Sequence, residues 1–201
     1  MQAKFYSRCY SWVTMGQVTA LEISSKSGKK FIIRTAEGSD AAGILAHIKE
    51  VTEEKLYTLL LPKEFLFTEG QEVVRIQEMK DNPASLQIVA ELENEIVGVL
   101  DFTSGHRQRI AHTGAFGISV SKEYRESGVG NALIECMLEW ASAHPVIEKV
   151  CLKVHATNSR AIDFYQKHGF FKEGRQIKDL KYAPNEYVDT FLMAKFVKPT
   201  E

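Results

Sequence analysis

The feature that most constrains the fold is a glycine-bearing turn at residues 125–130, which lies between an apolar run and a helical pattern. The apolar run covers residues 116–120, and the helical periodicity begins near Asn131. A strand that passes through such a turn into a helix brings free backbone N–H groups and the positive end of the helix dipole to one point. The sequence therefore predicts a strand–turn–helix unit that binds a phosphorylated ligand.

Three residues of the turn suit this chemistry. Gly128 and Gly130 allow positive φ or a close approach of ligand to backbone, and Arg125 carries a planar fork for bidentate phosphate contact. Glycine-bearing turns before helices are also common as purely structural features, so the turn alone leaves both interpretations open.

Composition excludes several classes of partner. The chain has 201 residues, 44% hydrophobic and 25% charged, as expected for a globular domain with one core. Its formal net charge of −1 provides no field to hold nucleic acid or an anionic membrane, so we expect neither as a partner. The N-terminus lacks an apolar signal segment, and no run approaches the roughly 20 residues that span a bilayer. We therefore expect a cytoplasmic protein.

The three cysteines, Cys9, Cys136 and Cys151, lack the spacing of a metal site, and we predict no bound metal. Cys136 and Cys151 lie in apolar segments and are interpreted as small buried side chains in a reducing compartment.

Hydrophobic periodicity predicts an α/β fold with a mixed sheet that is flanked by helices on both faces. Residues 1–30 are expected to form an extension that adds a strand or hairpin, and 31–197 the main domain. An apolar segment at 59–67 is expected to cover a cleft. The expected strands are 18–23, 31–33, 86–92, 96–102, 113–120, 150–154, 171–178 and 187–197, and the expected helices are 40–56, 69–80, one from about 131, and 158–168.

A second motif follows the glycine turn after one helix and one strand, and it contains Asn158, Ala161, Tyr165, Gly169 and Phe170. Together the two motifs resemble the GNAT superfamily of acetyl-CoA-dependent N-acetyltransferases. The turn is similar to that family's Arg/Gln-x-x-Gly-x-Gly pyrophosphate loop, and the later segment to its Asn-x-x-Ala-x-x-x-Tyr-x-x-x-Gly-Phe motif. The resemblance covers about residues 31–197 and implies a single mixed, mostly antiparallel sheet of six to eight strands.

The resemblance implies acetyl-CoA as the co-substrate and direct transfer of its acetyl group to a primary amine. It implies that main-chain groups of Ile118 and Val120 bind the pantetheine arm and that Asn158 contacts pantetheine or adenosine. The Tyr165 hydroxyl would lie near the thioester sulfur and protonate the thiolate. Packing of Tyr165 and helix capping by Asn158 are the structural alternatives. The residues implied to hold the pyrophosphate are Arg125, Glu126, Ser127, Gly128, Val129 and Gly130.

One departure concerns the general base. Many members of the superfamily carry a glutamate on the strand before the glycine loop, whereas this chain has no carboxylate between Ala115 and Val120. An α-amine with a pKa near 7.7 to 8.0 is neutral in roughly one molecule in ten at pH 7, far more often than a lysine-type amine. The departure favours an α-amino acceptor, or deprotonation by water or by another residue. The candidates for that residue are His112, Asp101 and Asp189. Their structural alternatives are a solvent-exposed strand end, a turn cap and an exposed strand position, in that order.

These observations predict an N-acetyltransferase whose acceptor is an amino acid or another small amine. A protein N-terminal acetyltransferase of the ribosomal-protein type and a non-catalytic acyl-CoA sensor are the alternatives. The sequence is compatible with a homodimer and does not determine the oligomeric state.

Overall fold

The computed structural model describes residues 16–25 and 28–199, which contain eight strands and four α-helices. The predictions for residues 1–15 lie outside the described residues. The strands are β1 (Leu21–Ser24), β2 (Lys30–Thr35), β3 (Ser85–Leu92), β4 (Glu95–Ser104), β5 (Thr113–Val120), β6 (Lys149–His155), β7 (Phe171–Ala183) and β8 (Glu186–Phe196). The helices are α1 (Ala41–Glu53), α2 (Glu69–Asp81), α3 (Val129–Ala143) and α4 (Ser159–Lys167).

All eight strands form one sheet in the order β1-β2-β3-β4-β5-β6-β8-β7. Among the described strands, every neighbouring pair is antiparallel except β5 and β6. Parallel neighbours need a crossover connection, and α3 supplies it. The predicted mixed, mostly antiparallel sheet is confirmed.

The helices cover the two faces of the sheet unequally. The larger core lies between the sheet and the helices α3 and α4, and it includes the fully buried Phe102, Leu133, Met137 and Trp140. A smaller core lies between α1, α2 and the strands β3 and β4, around Ile44. Alternation along each strand therefore assigns successive residues to the α3/α4 face and to the α1/α2 face.

Two element ends differ from the sequence-based expectation. Helix α1 ends at Glu53 rather than continuing to Leu56, because Lys55 and Tyr57 adopt positive φ values of 54° and 56°. Strand β1 begins at Leu21 rather than at Val18, whose N–H bonds instead to the Thr35 hydroxyl at 2.9 Å. Since β1 pairs with β2 along its whole length, residues 21–24 belong to the sheet, and the domain boundary at residue 30 stays a prediction.

Gly114 and Gly117 of β5 provide a matched test of packing. A Cβ on Gly114 would lie 2.1 Å from Cζ of Phe102, a fully buried ring that itself packs on Trp140, whereas a Cβ on Gly117 would meet no atom within 4 Å. We predict that Gly114→Ala lowers the stability by about 1–3 kcal/mol through overpacking. Gly117→Ala should stay within about 0.5 kcal/mol of wild type. Denaturant unfolding measures both variants, and equal stabilities would contradict this packing.

Candidate active site

The sheet opens between its two parallel strands. The register between β5 and β6 covers three residue pairs and ends at Ala115 and Cys151. Beyond that point β5 continues beside β4 to Val120, and β6 continues beside β8 to His155. The carboxyl-terminal halves of β5 and β6 are therefore each paired on one side only, and a gap separates them.

The main chain of β5 presents hydrogen-bonding groups to this gap. Just after β5, the N–H of Ser121 donates to the carbonyl of Val97 at 2.9 Å. Residues of an antiparallel strand bond to the same neighbour at every second position, so the odd-numbered residues of β5 bond to β4. The N–H and C=O groups of Phe116, Ile118 and Val120 consequently point toward the gap. The Val120 carbonyl accepts from Nε of Arg125 at 3.0 Å, and the pantetheine-binding role expected for Ile118 and Val120 stays a prediction.

The glycine turn forms the N-terminus of α3 next to the end of β5. Gly128 is the N-cap residue with φ of 107°, and Glu126 also has positive φ, at 66°. The first N–H groups of a helix lack intrahelical partners, and no described side chain caps those of α3. A Cβ on Gly128 would meet nothing within 4 Å, so the space in front of these groups is open. Free donors at the positive end of a 15-residue helix form an anion site.

Arg125 does not present its guanidinium fork to this open space. Its Nη1 donates to Glu54 Oε2 at 2.8 Å, its Nη2 donates to Glu54 Oε1, and its Nε donates to the Val120 carbonyl at 3.0 Å. All three guanidinium nitrogens thus have protein partners, whereas the sequence-based expectation was a bidentate contact with phosphate. In this structure Arg125 ties the turn to the C-terminal end of α1 and to β5.

A buried histidine makes a second connection between α1 and β5. His47 is 2% exposed, and its Nδ1 and Nε2 lie 3.0 Å and 2.8 Å from the hydroxyls of Ser121 and Ser119. Burial lowers the pKa of His47 to about 4, so the ring is neutral near pH 7. Sequence reasoning missed this residue. The signal was the spacing of His47, Glu50 and Glu54, which places three polar side chains on one face of α1 and its C-cap.

Tyr165 lies on the α3/α4 face beside β5. Its ring centroid is 5.9 Å from that of Phe116, 5.4 Å from Phe164 and 6.0 Å from Phe170. Burial raises the pKa of Tyr165 to about 12, so its hydroxyl is protonated at neutral pH. The ring therefore packs in an aromatic cluster beside Phe116, which lies two residues before Ile118 on β5.

The other expected contact residues surround the same opening. Asn158 caps α4 by accepting from the N–H of Ala161 at 3.1 Å, as its structural interpretation predicted. Ser127 donates to the Tyr124 carbonyl at 2.6 Å, and Glu126 forms an exposed ion pair of 3.3 Å with Arg160. Val129 is buried, and a Cβ on Gly130 would lie 3.6 Å from the Phe164 ring.

The structure does not bring His112 to this site. His112 precedes β5, and its carbonyl accepts from the N–H groups of Glu148 and Lys149. It lies four residues before Phe116, which corresponds to about 13 Å along a strand, at the end of β5 away from the glycine turn.

Asp189 and Asp101 both have basic partners. Asp189 shares the α3/α4 face with Phe191, receives a bond from Arg175 and accepts from the N–H of Lys178 at 2.7 Å. These bonds, that from Lys178 first, lower its pKa. Asp101 pairs with Arg75 at 2.7 Å on the α1/α2 face, directly opposite Gly117 in the register. Its Oδ1 is buried and has no hydrogen-bond partner in the described part of the chain.

The segment between α1 and α2 is more exposed than expected of a cleft cover. Leu59 and Leu66 are 74% and 81% exposed. Phe65 and Phe67 pack edge to face at 5.7 Å and line a cavity of about 300 Å³ beside Lys49 of α1.

Cys136 is buried, and Cys151 is half-buried with a thiol pKa raised by burial, so neither is an activated nucleophile. Within residues 16–25 and 28–199 there is no cluster of three or more side chains able to hold a metal ion. No helix of that part of the chain is long and apolar enough to cross a membrane.

Comparison with known proteins agrees with this geometry. Residues 54–170, more than half of the chain, match the acetyltransferase (GNAT) family. The chain is 34% identical over 121 residues to the L-amino acid N-acetyltransferase AaaT of Escherichia coli strain K12, covering 59% of this chain and 73% of that protein. It is 26% identical over 178 residues to an N-alpha-acetyltransferase of Sulfurisphaera tokodaii, covering 85% of this chain and 95% of that protein.

Solved structures share the fold. A GNAT-family acetyltransferase from Streptococcus pneumoniae superposes with a TM-score of 0.79 at 30% identity, over 84% of this chain and 99% of that one. The structure of yncA from Salmonella typhimurium with its cofactor acetyl-CoA has a TM-score of 0.75 at 13% identity, over 85% of this chain and 96% of that one.

The chain is thus an acyltransferase of α/β fold with a split parallel pair in its sheet. It belongs to the acetyltransferase (GNAT) family and is an acetyl-CoA-dependent N-acetyltransferase.

The open N-terminus of α3 leads to a prediction about the co-substrate. Acetyl-CoA should raise the melting temperature of the wild type, and Gly128→Glu should abolish the rise, because a carboxylate would occupy the anion site. Gly28→Glu is the matched control, since Gly28 also has positive φ and open surroundings but lies in the β1–β2 turn. Thermal melts with and without acetyl-CoA test this, and a shift retained in Gly128→Glu would contradict the assignment.

Proposed function

We propose that the protein transfers the acetyl group of acetyl-CoA to the α-amine of a small molecule, with L-amino acids as the substrate class. The donor half rests on one observation, the gap between β5 and β6, which has free main-chain donors along one side and the open N-terminus of α3 at its end. The acceptor half is supported by the 34% identity to a protein named an L-amino acid N-acetyltransferase.

In this proposal acetyl-CoA lies with its pyrophosphate at the first N–H groups of α3 and its pantetheine arm along β5. Ile118 and Val120 would bond to the arm through main-chain groups that face the gap. The N–H of Ile118 would also donate to the thioester oxygen and stabilise the negative charge that develops there during attack. Arg125 would contribute by holding the turn through Glu54 rather than by binding phosphate.

Tyr165 would protonate the departing thiolate of CoA. A phenol with a pKa of about 12 retains its proton at neutral pH, and a thiol with a pKa near 8.5 is the stronger acid. Proton transfer from Tyr165 to the thiolate is therefore uphill alone. The transfer is carried forward because solvent at neutral pH returns a proton to the Tyr165 phenolate, which is a strong base.

The acceptor would approach from the α1/α2 face, where Ala115 and Gly117 of β5 are exposed. No side chain stands at Gly117, and the unpartnered Oδ1 of Asp101 lies opposite it. Because β5 carries no carboxylate on this face, an amine with a low intrinsic pKa suits the site better than a lysine side chain does. This pKa argument supports an α-amine and does not distinguish a free amino acid from a peptide N-terminus.

Acetylation of protein N-termini is the second candidate. The similarity to an N-alpha-acetyltransferase covers 85% of this chain and favours it. A peptide and an amino acid present the same α-amine. They differ at the neighbouring carbonyl group, which is a free carboxylate in the amino acid and part of a peptide bond in the peptide. A non-catalytic acyl-CoA sensor is disfavoured by the presence of Tyr165 beside β5, since a sensor needs no proton donor for the thiolate.

The test is release of CoA thiol from acetyl-CoA with a panel of L-amino acids, polyamines, aminoglycosides and peptides. We expect turnover with L-amino acids and little with their α-N-methylated or α-N-acetylated forms, which remove or block the primary amine. Preference for peptides over every free amino acid would replace the first candidate with the second. Binding of acetyl-CoA without turnover of any amine would support the sensor.

Replacing Tyr165 by phenylalanine separates its chemical role from its packing role. Tyr165→Phe keeps the aromatic contacts with Phe116, Phe164 and Phe170 and removes only the hydroxyl. We predict that kcat falls at least tenfold while the acetyl-CoA-induced shift in melting temperature stays within error. Steady-state kinetics and thermal melts measure the two effects. An unchanged kcat would reduce Tyr165 to a packing residue.

A further inference from the structure

The side of the gap opposite β5 carries a histidine that none of the steps above uses. His155 is the last residue of β6 and pairs with Thr190 of β8. The preceding residue, Val154, packs in the core on the α3/α4 face, so alternation places the His155 side chain on the α1/α2 face. The exposed Gly117 of β5 belongs to the same face. His155 therefore lies across the gap from the surface by which an acceptor would approach.

Two tyrosines from different elements fix the His155 ring. The Tyr182 hydroxyl of β7 lies 2.9 Å from Nδ1, and the Tyr57 ring, from the segment after α1, packs edge to face at 5.7 Å. His155 is only 7% exposed. Among the described residues, none forms a hydrogen bond with Nε2. The ring is thus oriented through Nδ1 and has its second nitrogen available.

The surroundings keep this imidazole neutral near pH 7. Burial lowers the pKa of His155, and the negative charge of Asp179 on β7 opposes that effect. The other titratable groups that face the ring are Tyr57 and Tyr182, and burial raises the pKa of Tyr182, so its hydroxyl stays protonated. A neutral imidazole with one free nitrogen can accept a proton.

The polar character of this face continues away from the gap. Thr190 stands opposite His155 in β8, and Gln176 stands opposite Thr190 in β7. Thr190 is 2% exposed, and its hydroxyl has no hydrogen-bond partner in the described part of the chain. This row of polar side chains suits a polar acceptor.

We propose that His155 is the general base of the transfer, acting through Nε2, with Tyr182 as the residue that positions its ring. The proposal rests on the proposed function, since it assigns the proton that the acceptor amine must lose. In this proposal a histidine of β6 acts as the general base, because β5 has no carboxylate to do so.

The proposed reaction moves one proton from the amine to His155 and one from Tyr165 to the sulfur. The amine nitrogen forms a bond with the carbonyl carbon of the thioester, and the proton that nitrogen loses passes to Nε2 of His155. The carbon–sulfur bond then breaks, and the sulfur takes the hydroxyl proton of Tyr165. Solvent removes the proton from His155 and returns one to Tyr165, so the products are the N-acetylated amine and the CoA thiol.

The decisive variant is His155→Asn, whose side-chain amide can replace Nδ1 in the bond to Tyr182 but offers no base. With the best amine of the panel, we expect kcat near pH 7 to fall about 100-fold or more while the acetyl-CoA thermal shift is retained. The pH profile of the wild-type rate should depend on an imidazole pKa. In His155→Asn that dependence should disappear, and the rate should instead rise with pH as more of the amine is free. His106→Asn, in an exposed segment, is the matched control and should leave kcat unchanged.

Tyr182→Phe tests the positioning role without altering the base. We expect a smaller fall in kcat than in His155→Asn, because the ring keeps Nε2. The imidazole pKa seen in the pH profile should shift, because Nδ1 loses its hydrogen-bond partner. This variant also carries the test if His155→Asn fails to fold, and an unchanged pH profile would then overturn the proposal.

Two results with His155→Asn would overturn the proposal while leaving the proposed function intact. One is an unchanged kcat and pH profile, and the other is a raised KM for the amine at unchanged kcat, which would make His155 a binding residue. Failure of the wild type to acetylate any amine would instead reject the proposed function, and with it the role of His155.

Discussion

The site depends on the early end of the pairing between the two parallel strands. Three residue pairs join β5 to β6, and each strand then follows its other neighbour. Full pairing would have saturated the N–H and C=O groups of Ile118 and Val120, as it does elsewhere in the sheet. Because the N–H groups of both residues have no strand partner near the glycine turn, the main-chain donors of β5 lie close to those at the N-terminus of α3, as the proposed acetyl-CoA site requires.

Helix α1 holds this arrangement from the opposite face of the sheet. His47 contacts the hydroxyls of Ser119 and Ser121, and Glu54 binds Arg125, so one helix fixes both the end of β5 and the turn that follows. Burial makes these bonds consequential, since a buried polar group deprived of its partner costs about 1–3 kcal/mol. The polar residues of α1 thus stabilise the glycine turn from the α1/α2 face.

The two faces of the sheet at the gap carry different groups. Tyr165 lies among aromatic rings on the α3/α4 face, where burial keeps its proton, and the α1/α2 face is open at Gly117 and polar at His155. Acetyl-CoA bound between β5 and β6 would have its sulfur beside Tyr165 on the α3/α4 face. Its carbonyl carbon would be open to an amine that approaches from the α1/α2 face. Because β5 carries no carboxylate, we propose that the general base comes from the neighbouring strand β6.

The sequence by itself determined the features that depend on short-range geometry. Periods of two and of 3.6 located the strands and helices, Gly128 marked a turn with positive φ, and Asn158 marked the cap of α4, because each is set by residues a few positions apart. Only the tertiary structure decided that Arg125 binds Glu54 rather than open space, that His112 lies at the far end of β5, and that Tyr57 and Tyr182 converge on His155. These contacts join residues tens of positions apart in different elements, and no local pattern encodes which distant partner a side chain meets when the sheet assembles.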